Sequence, residues 1–272
     1  MDPSKPLPKF RHPPLVEVVH GLQFRPLPMT IIHPGLFYVG IRREFPRCQF
    51  VPPLVSLPEN QVGMPEMVFT TMTRPELPRT WFISADDSVL IQLQADRLLL
   101  NWRRGATNAE YPHFETVSGR FRAIYQQFEA FVADAELGTI QPEFCEMTYV
   151  NQFRPKDADG GLPNVRDILR LWPEPFGQEW NVRADAVRFQ ADYRMLPVNG
   201  ESPGRLTASL NVANMQSIPS QVLQFELAAR GRPLGDGFNG VIAFHERARE
   251  NIVRYFAAVT TETAQNEWHR IP

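Results

Sequence analysis

The sequence predicts an α+β fold made of two tandem repeats, each running strand, short helix, antiparallel meander and long helix. Two observations lead to this prediction. A segment near the start of the chain recurs without gaps near its middle, and the elements that follow each copy come in the same order. The composition is that of a globular chain, because 43% of the 272 residues are hydrophobic and 21% are charged.

The internal match relates residues 13–26 to residues 142–155 at a constant offset of 129 residues. Six positions are identical: Pro13/Pro142, Glu17/Glu146, Gln23/Gln152, Phe24/Phe153, Arg25/Arg154 and Pro26/Pro155. We therefore divide the chain into a flexible Pro-rich N-terminus (1–12), a first α+β repeat (13–140) and a second α+β repeat (141–272).

In the first repeat, residues 15–24 are β-branched and apolar and predict a strand, and a helix is predicted from His33 to Phe45. Apolar spacing puts the following residues near the buried side of that helix: Leu36, Phe37, Val39, Gly40 and Ile41. A Pro-rich connection is expected to about residue 65. The predicted meander strands are 67–72, Thr80–Ser84, Val89–Gln94 and Arg97–Trp102. Val89–Gln94 alternates apolar and polar residues, which predicts one solvated face. A long helix through Phe121, Phe128 and Val132 closes the repeat.

The second repeat predicts a strand at Phe144–Phe153 and a short helix from Asn164 to about Leu171. Three strands follow, at Ala186–Leu196, Arg205–Ala213 and Val222–Ala229. A long helix through Phe244, Ala248, Ile252 and Phe256 comes next, and a short one capped by Thr260 or Thr261 ends near Trp268. Two such repeats in tandem resemble TATA-binding-like folds, and a single helix-grip-like sheet is the alternative.

The opening strands of the two repeats are apolar on both alternations, most clearly at Phe144, Cys145, Met147, Tyr149 and Val150. A strand of that kind needs cover on both faces. If these strands lie at the junction of the repeats, the two sheets form one continuous surface with a shared core.

Charge and composition exclude several functional classes. The chain has 28 basic and 30 acidic residues, so it lacks the excess of positive charge that nucleic-acid binding uses, and nucleic acid is an unlikely partner. The start of the chain carries no signal-peptide pattern, and no apolar run is long enough for a membrane span, which predicts a cytoplasmic protein without membrane contact. Two distant cysteines and six scattered histidines show no ligand spacing. We expect no metal and no cofactor.

Four charged residues recur at equivalent positions of the two repeats: Glu17, Arg25, Glu146 and Arg154. A carboxylate within an apolar strand either faces solvent or needs a partner. We therefore predict a structural ion pair in each half.

Gly235, Gly237 and Gly240 fit the spacing G-x-G-x-x-G between a predicted strand and a predicted helix. A dinucleotide site also needs a parallel strand after the helix, and the residues that follow these glycines are predicted to be helical. A flexible loop entering a helix and an anion site at the helix N-terminus stay open as interpretations.

Several stretches together resemble a family of uncharacterised, sporadically distributed prokaryotic proteins of similar length. They are residues 79–103, the opening Pro-Leu-Val-Glu-Val-Val, the central Cys-Glu-Met-Thr-Tyr-Val-Asn and the C-terminal Phe-His-Glu-Arg-Ala-Arg-Glu-Asn-Ile-Val-Arg-Tyr-Phe. The resemblance covers most of the chain and carries over no catalytic residue. Its patchy distribution implies mobile gene modules such as defence or toxin–antitoxin loci.

The sequence thus favours a non-enzymatic binding or regulatory protein that engages a protein partner. An enzyme or small-ligand binder with a pocket between the sheet and a long helix is the alternative, and nucleic-acid binding is the second alternative. The pattern leaves the oligomeric state open.

Overall fold

The computed structural model describes residues 6–54, 77–105, 110–155, 162–171, 187–197, 202–214 and 221–271. Its strands are β1 (Lys9–Phe10), β2 (Leu15–Phe24), β3 (Arg47–Val51), β4 (Arg79–Ile83), β5 (Val89–Gln94), β6 (Arg97–Arg103), β7 (Pro142–Phe153), β8 (Phe189–Arg194), β9 (Gly204–Asn214), β10 (Gln221–Gly231) and β11 (Arg270–Ile271). Its helices are α1 (His33–Ile41), α2 (Phe114–Asp134), α3 (Val165–Ile168), α4 (Gly237–Val259) and α5 (Glu262–Glu267). The fold is α+β.

Nine strands form one antiparallel sheet in the order β3-β4-β5-β6-β2-β7-β10-β9-β8. The opening strands β2 and β7 lie side by side at its centre, which is the condition under which one continuous sheet was expected. Val19 pairs with Thr148, and the flanking pairs are His20 with Met147 and Val18 with Tyr149. This central pair joins the two halves of the chain into one sheet.

One face of the sheet packs against the helices and forms the core. In β2 the side chains on that face alternate as Val18, His20, Leu22 and Phe24, all essentially inaccessible to solvent. The two long helices also contact each other. The ring of Tyr125 in α2 stacks on Phe238 in α4 with centroids 3.7 Å apart, and Arg249 of α4 donates to Glu115 of α2 at 3.0 Å.

The chain termini meet in a two-stranded ribbon of β1 and β11. Arg11 N donates to His269 O and His12 N to Trp268 O, both at 3.2 Å. The Phe10 ring packs edge-on against Phe256 and Trp268. Residues 9–12, predicted to be flexible, are therefore paired with the end of the chain.

The structure differs from the sequence predictions at several elements. Arg47–Val51, predicted to be part of a Pro-rich connection, is the edge strand β3. The predicted solvated face of Val89–Gln94 is wrong, because Gln92 is only 6% exposed. The first helix ends at Ile41, not Phe45, and α3 ends at Ile168, not Leu171. The predicted strand 67–72 lies outside the described residues.

Candidate functional site

Helix α1 is fixed to the sheet by one of its two faces. Apart from His33 at its start, its sequence is largely apolar, and Pro34 stands in its first turn, where the fixed φ of proline suits a helix start. Pro34, Phe37 and Ile41 are buried. The Phe37 ring lies 5.9 Å from Phe82 of β4 and 5.6 Å from Phe128 of α2, measured between centroids. The helix is thereby held rigidly on the sheet.

The opposite face of α1 is also apolar, but it faces solvent. Ile32, Leu36 and Val39 are spaced i, i+4 and i+7, so they form one line along the helix. Their exposed fractions are 62%, 54% and 59%, and neighbouring Ile31 is 57% exposed. We call these four residues the α1 stripe. Large apolar side chains that line up in water typically mark an interaction surface.

Both ends of the α1 stripe have distinct chemistry. The first turn of α1 contains no acidic residue. Arg42 and Arg43 follow the last turn, and both are exposed. The next residue, Glu44, forms an ion pair with Arg120 of α2.

An added Cβ at Gly35 or Gly40 would meet nothing within 4 Å in the described part of the chain, so the backbone beside the α1 stripe is open to close approach.

The predicted burial of α1 is wrong at three positions, because Leu36, Val39 and Gly40 are exposed. A helix that is apolar on every side has no polar face to mark which side meets solvent. The largely apolar sequence of this nine-residue helix could have indicated an exposed apolar face, because a helix on the surface of a sheet is covered on one side only.

Phe50, on edge strand β3, adds a further exposed apolar side chain at 64% exposure. Phe50 lies on the same face of β3 as Cys48, whose strand partner is Phe82. The Tyr38 ring of α1 stacks on Phe82 at 5.7 Å. Phe50 therefore lies on the face of the sheet that carries α1.

The other face of the sheet carries a line of polar side chains that crosses four strands. Arg79 and Trp81 of β4 both donate to Gln92 Oε1, at 2.8 and 3.1 Å. Gln92 Nε2 donates to Asn101 Oδ1 at 2.8 Å, and Asn101 Nδ2 donates to Glu17 Oε1 at 2.7 Å. Gln92 and Asn101 are almost fully buried, so the network supplies the hydrogen bonds that burial makes obligatory.

The carboxylates Glu17 and Glu146 each face an arginine, but not the predicted one. Glu17 pairs across the sheet with Arg103, and Glu146 with Arg230. Arg230 Nε lies 3.0 Å from Glu146 Oε2. Burial raises the pKa of Glu17, while the bond from Asn101 and the charge of Arg103 oppose that rise.

The arginines that were predicted to pair with these carboxylates lie at strand ends. Arg25 forms an exposed pair with Glu143, their side chains 3.4 Å apart. Arg154 is exposed. The error arises because the recurring sequence positions gave no information on which strand would lie beside each carboxylate.

A histidine pair lies in the core where β2 meets α4. His20 Nδ1 is 3.3 Å from His245 Nδ1, and both residues are completely buried. His245 Nε2 lies 3.1 Å from the carbonyl oxygen of Gly21. Burial lowers the pKa of His20 well below its usual value and that of His245 to about 4. The scattered spacing of the six histidines gave no sign of this pair.

Backbone geometry explains why glycine occupies the three candidate anion-site positions. A Cβ on Gly240 would lie 2.1 Å from the carbonyl oxygen of Gly235, and Gly235 and Gly237 adopt φ of 120° and 57°. Leu234 N donates to Gly240 O at 2.9 Å, which closes the loop on the first turn of α4. Asp236 occupies the N-cap, where its charge opposes an incoming anion.

The sequence also contains a G-x-S-x-G pattern at residues 200–204, which sequence reasoning overlooked. In hydrolases this pattern turns from a strand into a helix and exposes the serine. Here its last residue, Gly204, begins strand β9, and the one proton of Ser202 Oγ lies between the carbonyl oxygens of Met195 and Gly204, which are 2.8 and 3.2 Å from Oγ. The geometry does not present Ser202 as a nucleophile.

A shallow groove of about 280 Å³ lies between the β8–β9 edge of the sheet and α4. Its lining includes Tyr193, Leu196, Leu206, Arg254 and Tyr255. The two tyrosine hydroxyls are hydrogen-bonded at 3.0 Å, and Arg254 donates to Glu250 at 3.0 Å. The side chains of Tyr193, Tyr255 and Arg254 are thus already hydrogen-bonded within the protein.

Within the described ranges, no cluster of three or more histidine, cysteine, aspartate or glutamate side chains could hold a metal ion. In the same part of the chain, no helix combines the length and the apolar character that crossing a bilayer requires. No protein-family model matches the chain, and no curated protein is significantly similar to it.

Proposed function

We propose that this chain is a non-enzymatic binding protein that engages a protein partner through the α1 stripe. The observation that carries the proposal is the exposure of Ile31 and Ile32 at the start of α1 and of Leu36 and Val39 on it, each above half, while the other face of α1 packs into the core. These side chains expose on the order of 400 Å² of apolar surface, within the range of patches that are often functional.

Burying such a surface supplies a substantial driving force for association. At roughly 25 cal/mol per Å², 400 Å² corresponds to about 10 kcal/mol before the costs of association are subtracted. Because α1 is already anchored by Phe37, little ordering is needed when a partner binds. A regulatory role in a defence or toxin–antitoxin-like module is the context that the family resemblance suggests for this binding, and we propose the cytoplasm as its location.

The test is partner capture with a stripe variant and a matched control. Leu36→Asp/Val39→Asp places two charges in the α1 stripe, whereas Leu196→Asp places one on a leucine that is 74% exposed near α4. Proteins bound to the tagged chain in cells that carry the gene naturally are identified by mass spectrometry. We expect one partner to be lost with the stripe variant and retained with Leu196→Asp.

Both variants change exposed residues, so their thermal unfolding midpoints should stay close to that of the parent. A partner set that is unchanged by Leu36→Asp/Val39→Asp in a folded protein would contradict the proposal.

A second candidate function is small-ligand binding in the groove between α4 and the β8–β9 edge, because this groove lies where the alternative predicted a pocket. A thermal-shift screen of small aromatic and acidic compounds tests it. Stabilisation that Leu206→Gln abolishes would favour this function over partner binding.

We also propose that the chain is a tandem duplication with a TATA-binding-like arrangement of its sheet. The offset of 129 residues that aligns the sequence segments also relates Val19 to Thr148, which pair directly. The same offset relates Glu17 to Glu146, and each faces an arginine on the last strand of its meander. These pairings support a local two-fold axis between β2 and β7. A helix-grip-like sheet formed without duplication would not explain why the sequence offset and the strand pairing agree.

A further inference from the structure

We propose that the partner presents a short amphipathic helix whose apolar line ends in acidic residues. The inference rests on the proposed function, because it names the chemistry of whatever covers the α1 stripe. It follows from the length of the α1 stripe, from its charged end and from the poor fit of a second copy of this chain.

The α1 stripe has the dimensions of a helix contact. Ile32 to Val39 spans two turns, about 10 Å at 1.5 Å per residue. Its roughly 400 Å² is about half of what each partner buries in a standard protein–protein interface. A single helix laid along α1 matches this length and area, with its own apolar residues at i, i+3 or i+4, and i+7.

Glycine on the outward side of α1 favours a helix that packs closely. Gly35 and Gly40 are exposed, and in the described part of the chain nothing lies within 4 Å of a Cβ added to either. Glycines in a helix surface let a second helix approach, because no side chain separates the backbones. The α1 stripe therefore has an exposed glycine on each side of its large apolar side chains.

The basic end of the α1 stripe selects an acidic partner residue. Arg42 and Arg43 stand about one turn past Val39, and neither has an ion-pair partner among the described residues. The nearest acidic side chain in sequence, Glu44, is held by Arg120. A glutamate or aspartate one turn beyond the partner's apolar line would meet these guanidinium groups at the rim, where charge sets orientation and specificity.

A second copy of this chain fits the α1 stripe poorly. If two α1 helices packed antiparallel about a two-fold axis, the arginines would lie opposite Ile31 and Ile32, and α1 has no acid in its first turn. If they packed parallel, arginine would meet arginine, which repels. The area of the α1 stripe alone also falls short of a standard dimer interface.

The experiment selects, from a displayed library of amphipathic helices, those that bind the full-length chain. Each library member carries a fixed apolar line of two turns, followed by two positions randomised among Glu, Asp, Lys, Arg, Gln and Ser. Binding to the parent chain is compared with binding to Leu36→Gln/Val39→Gln and to Arg42→Glu/Arg43→Glu. Thermal unfolding checks that each variant is folded, and sedimentation velocity reports self-association.

We expect helices that end in Glu or Asp to be enriched roughly tenfold or more over those that end in Lys or Arg at low salt. The enrichment should vanish with Leu36→Gln/Val39→Gln and should reverse towards Lys and Arg with Arg42→Glu/Arg43→Glu. Binding that depends on Leu36 and Val39 but ignores the terminal charges would overturn this inference and leave the proposed function standing. The inference would also be overturned if no helix bound in a way that depends on the α1 stripe, or if the chain formed a dimer that Leu36→Gln/Val39→Gln dissociates. In either case, the partner capture described above would decide the proposed function separately.

Discussion

At the scale of single residues, His20 and His245 are held neutral by their position. His245 Nε2 donates to the Gly21 carbonyl, so its Nδ1 must accept from His20 Nδ1. The remaining nitrogen, His20 Nε2, then carries a lone pair with no hydrogen-bond partner, beside the rings of Phe114 and Phe121. A proton added there would be an uncompensated buried charge.

This pair makes the free energy of unfolding depend on pH. Because the pKa of both histidines is lower in the folded chain, the unfolded chain binds protons first as pH falls. The contribution is fully present above about pH 6.5 and is lost as pH falls towards the folded pKa, about 4 for His245. Urea unfolding at pH 7.5 and 4.5 should show the parent losing on the order of 1–3 kcal/mol more than His20→Leu/His245→Leu.

Exposed His12 provides the control for that pH series. His12→Gln removes an exposed histidine outside the buried pair, and its pH series is measured beside that of the double-leucine variant. Equal pH dependence in the parent and the double-leucine variant would show that another group is responsible.

Asn101 is the middle member of the polar line and is predicted to be costly to remove. Asn101→Ala takes the acceptor from Gln92 Nε2 and the donor from Glu17 Oε1, and it leaves both groups half-satisfied in a buried setting. We expect unfolding to become easier by about 2–3 kcal/mol. The matched control is Asn211→Ala on β9, an exposed position where a change within about 0.5 kcal/mol is expected. Equal effects at the two sites would argue against the network.

At the scale of elements, the sequence predicted those strands and helices whose own pattern decides their environment. Val89–Gln94 was predicted with both ends correct, and Asn164 and Thr261 cap α3 and α5 as expected. Strand β3 was missed because four of its five residues are exposed and because, within the described ranges, its one strand partner is β4, far along the chain. The exposed side of α1 was missed because its pattern is apolar on all sides.

Two helical glycines offer opposite expectations for the same substitution. Gly240→Ala would place Cβ 2.1 Å from the Gly235 carbonyl oxygen, so the loop must leave the start of α4, at a cost of about 2 kcal/mol or more. Gly119→Ala in α2 meets nothing within 4 Å and should stabilise the chain by up to about 1 kcal/mol. Chemical denaturation of both variants measures the difference. A Gly240→Ala variant as stable as the parent would mean that this loop does not need the close contact.

At the scale of the whole molecule, the two halves share their interior. β2 and β7 pair along most of their length, α2 and α4 pack together through Tyr125 and Phe238, and the histidine pair links β2 to α4. The N-terminal residues pair with the C-terminal ones in the β1–β11 ribbon. The two-sided apolar pattern of the opening strands predicted that they need cover on both faces, and one continuous sheet was expected only if these strands lay at the junction of the halves. The contacts between the helices could not be predicted, because they join residues more than a hundred positions apart and no single segment encodes them.

This shared interior predicts that the chain unfolds in one cooperative step. A cut at Gly138 would expose the apolar edge of β2 in one fragment and of β7 in the other, so neither half should be stable alone. Far-ultraviolet circular dichroism and tryptophan fluorescence should give coincident urea transitions for the full chain. Residues 13–137 and 142–269, produced separately, should be largely unfolded or aggregated. Limited proteolysis near Gly138 could instead give two stable fragments of similar size, each with its own cooperative transition. That result would show that the halves are independent, because a fragment that folds alone cannot depend on β2–β7 pairing for its core.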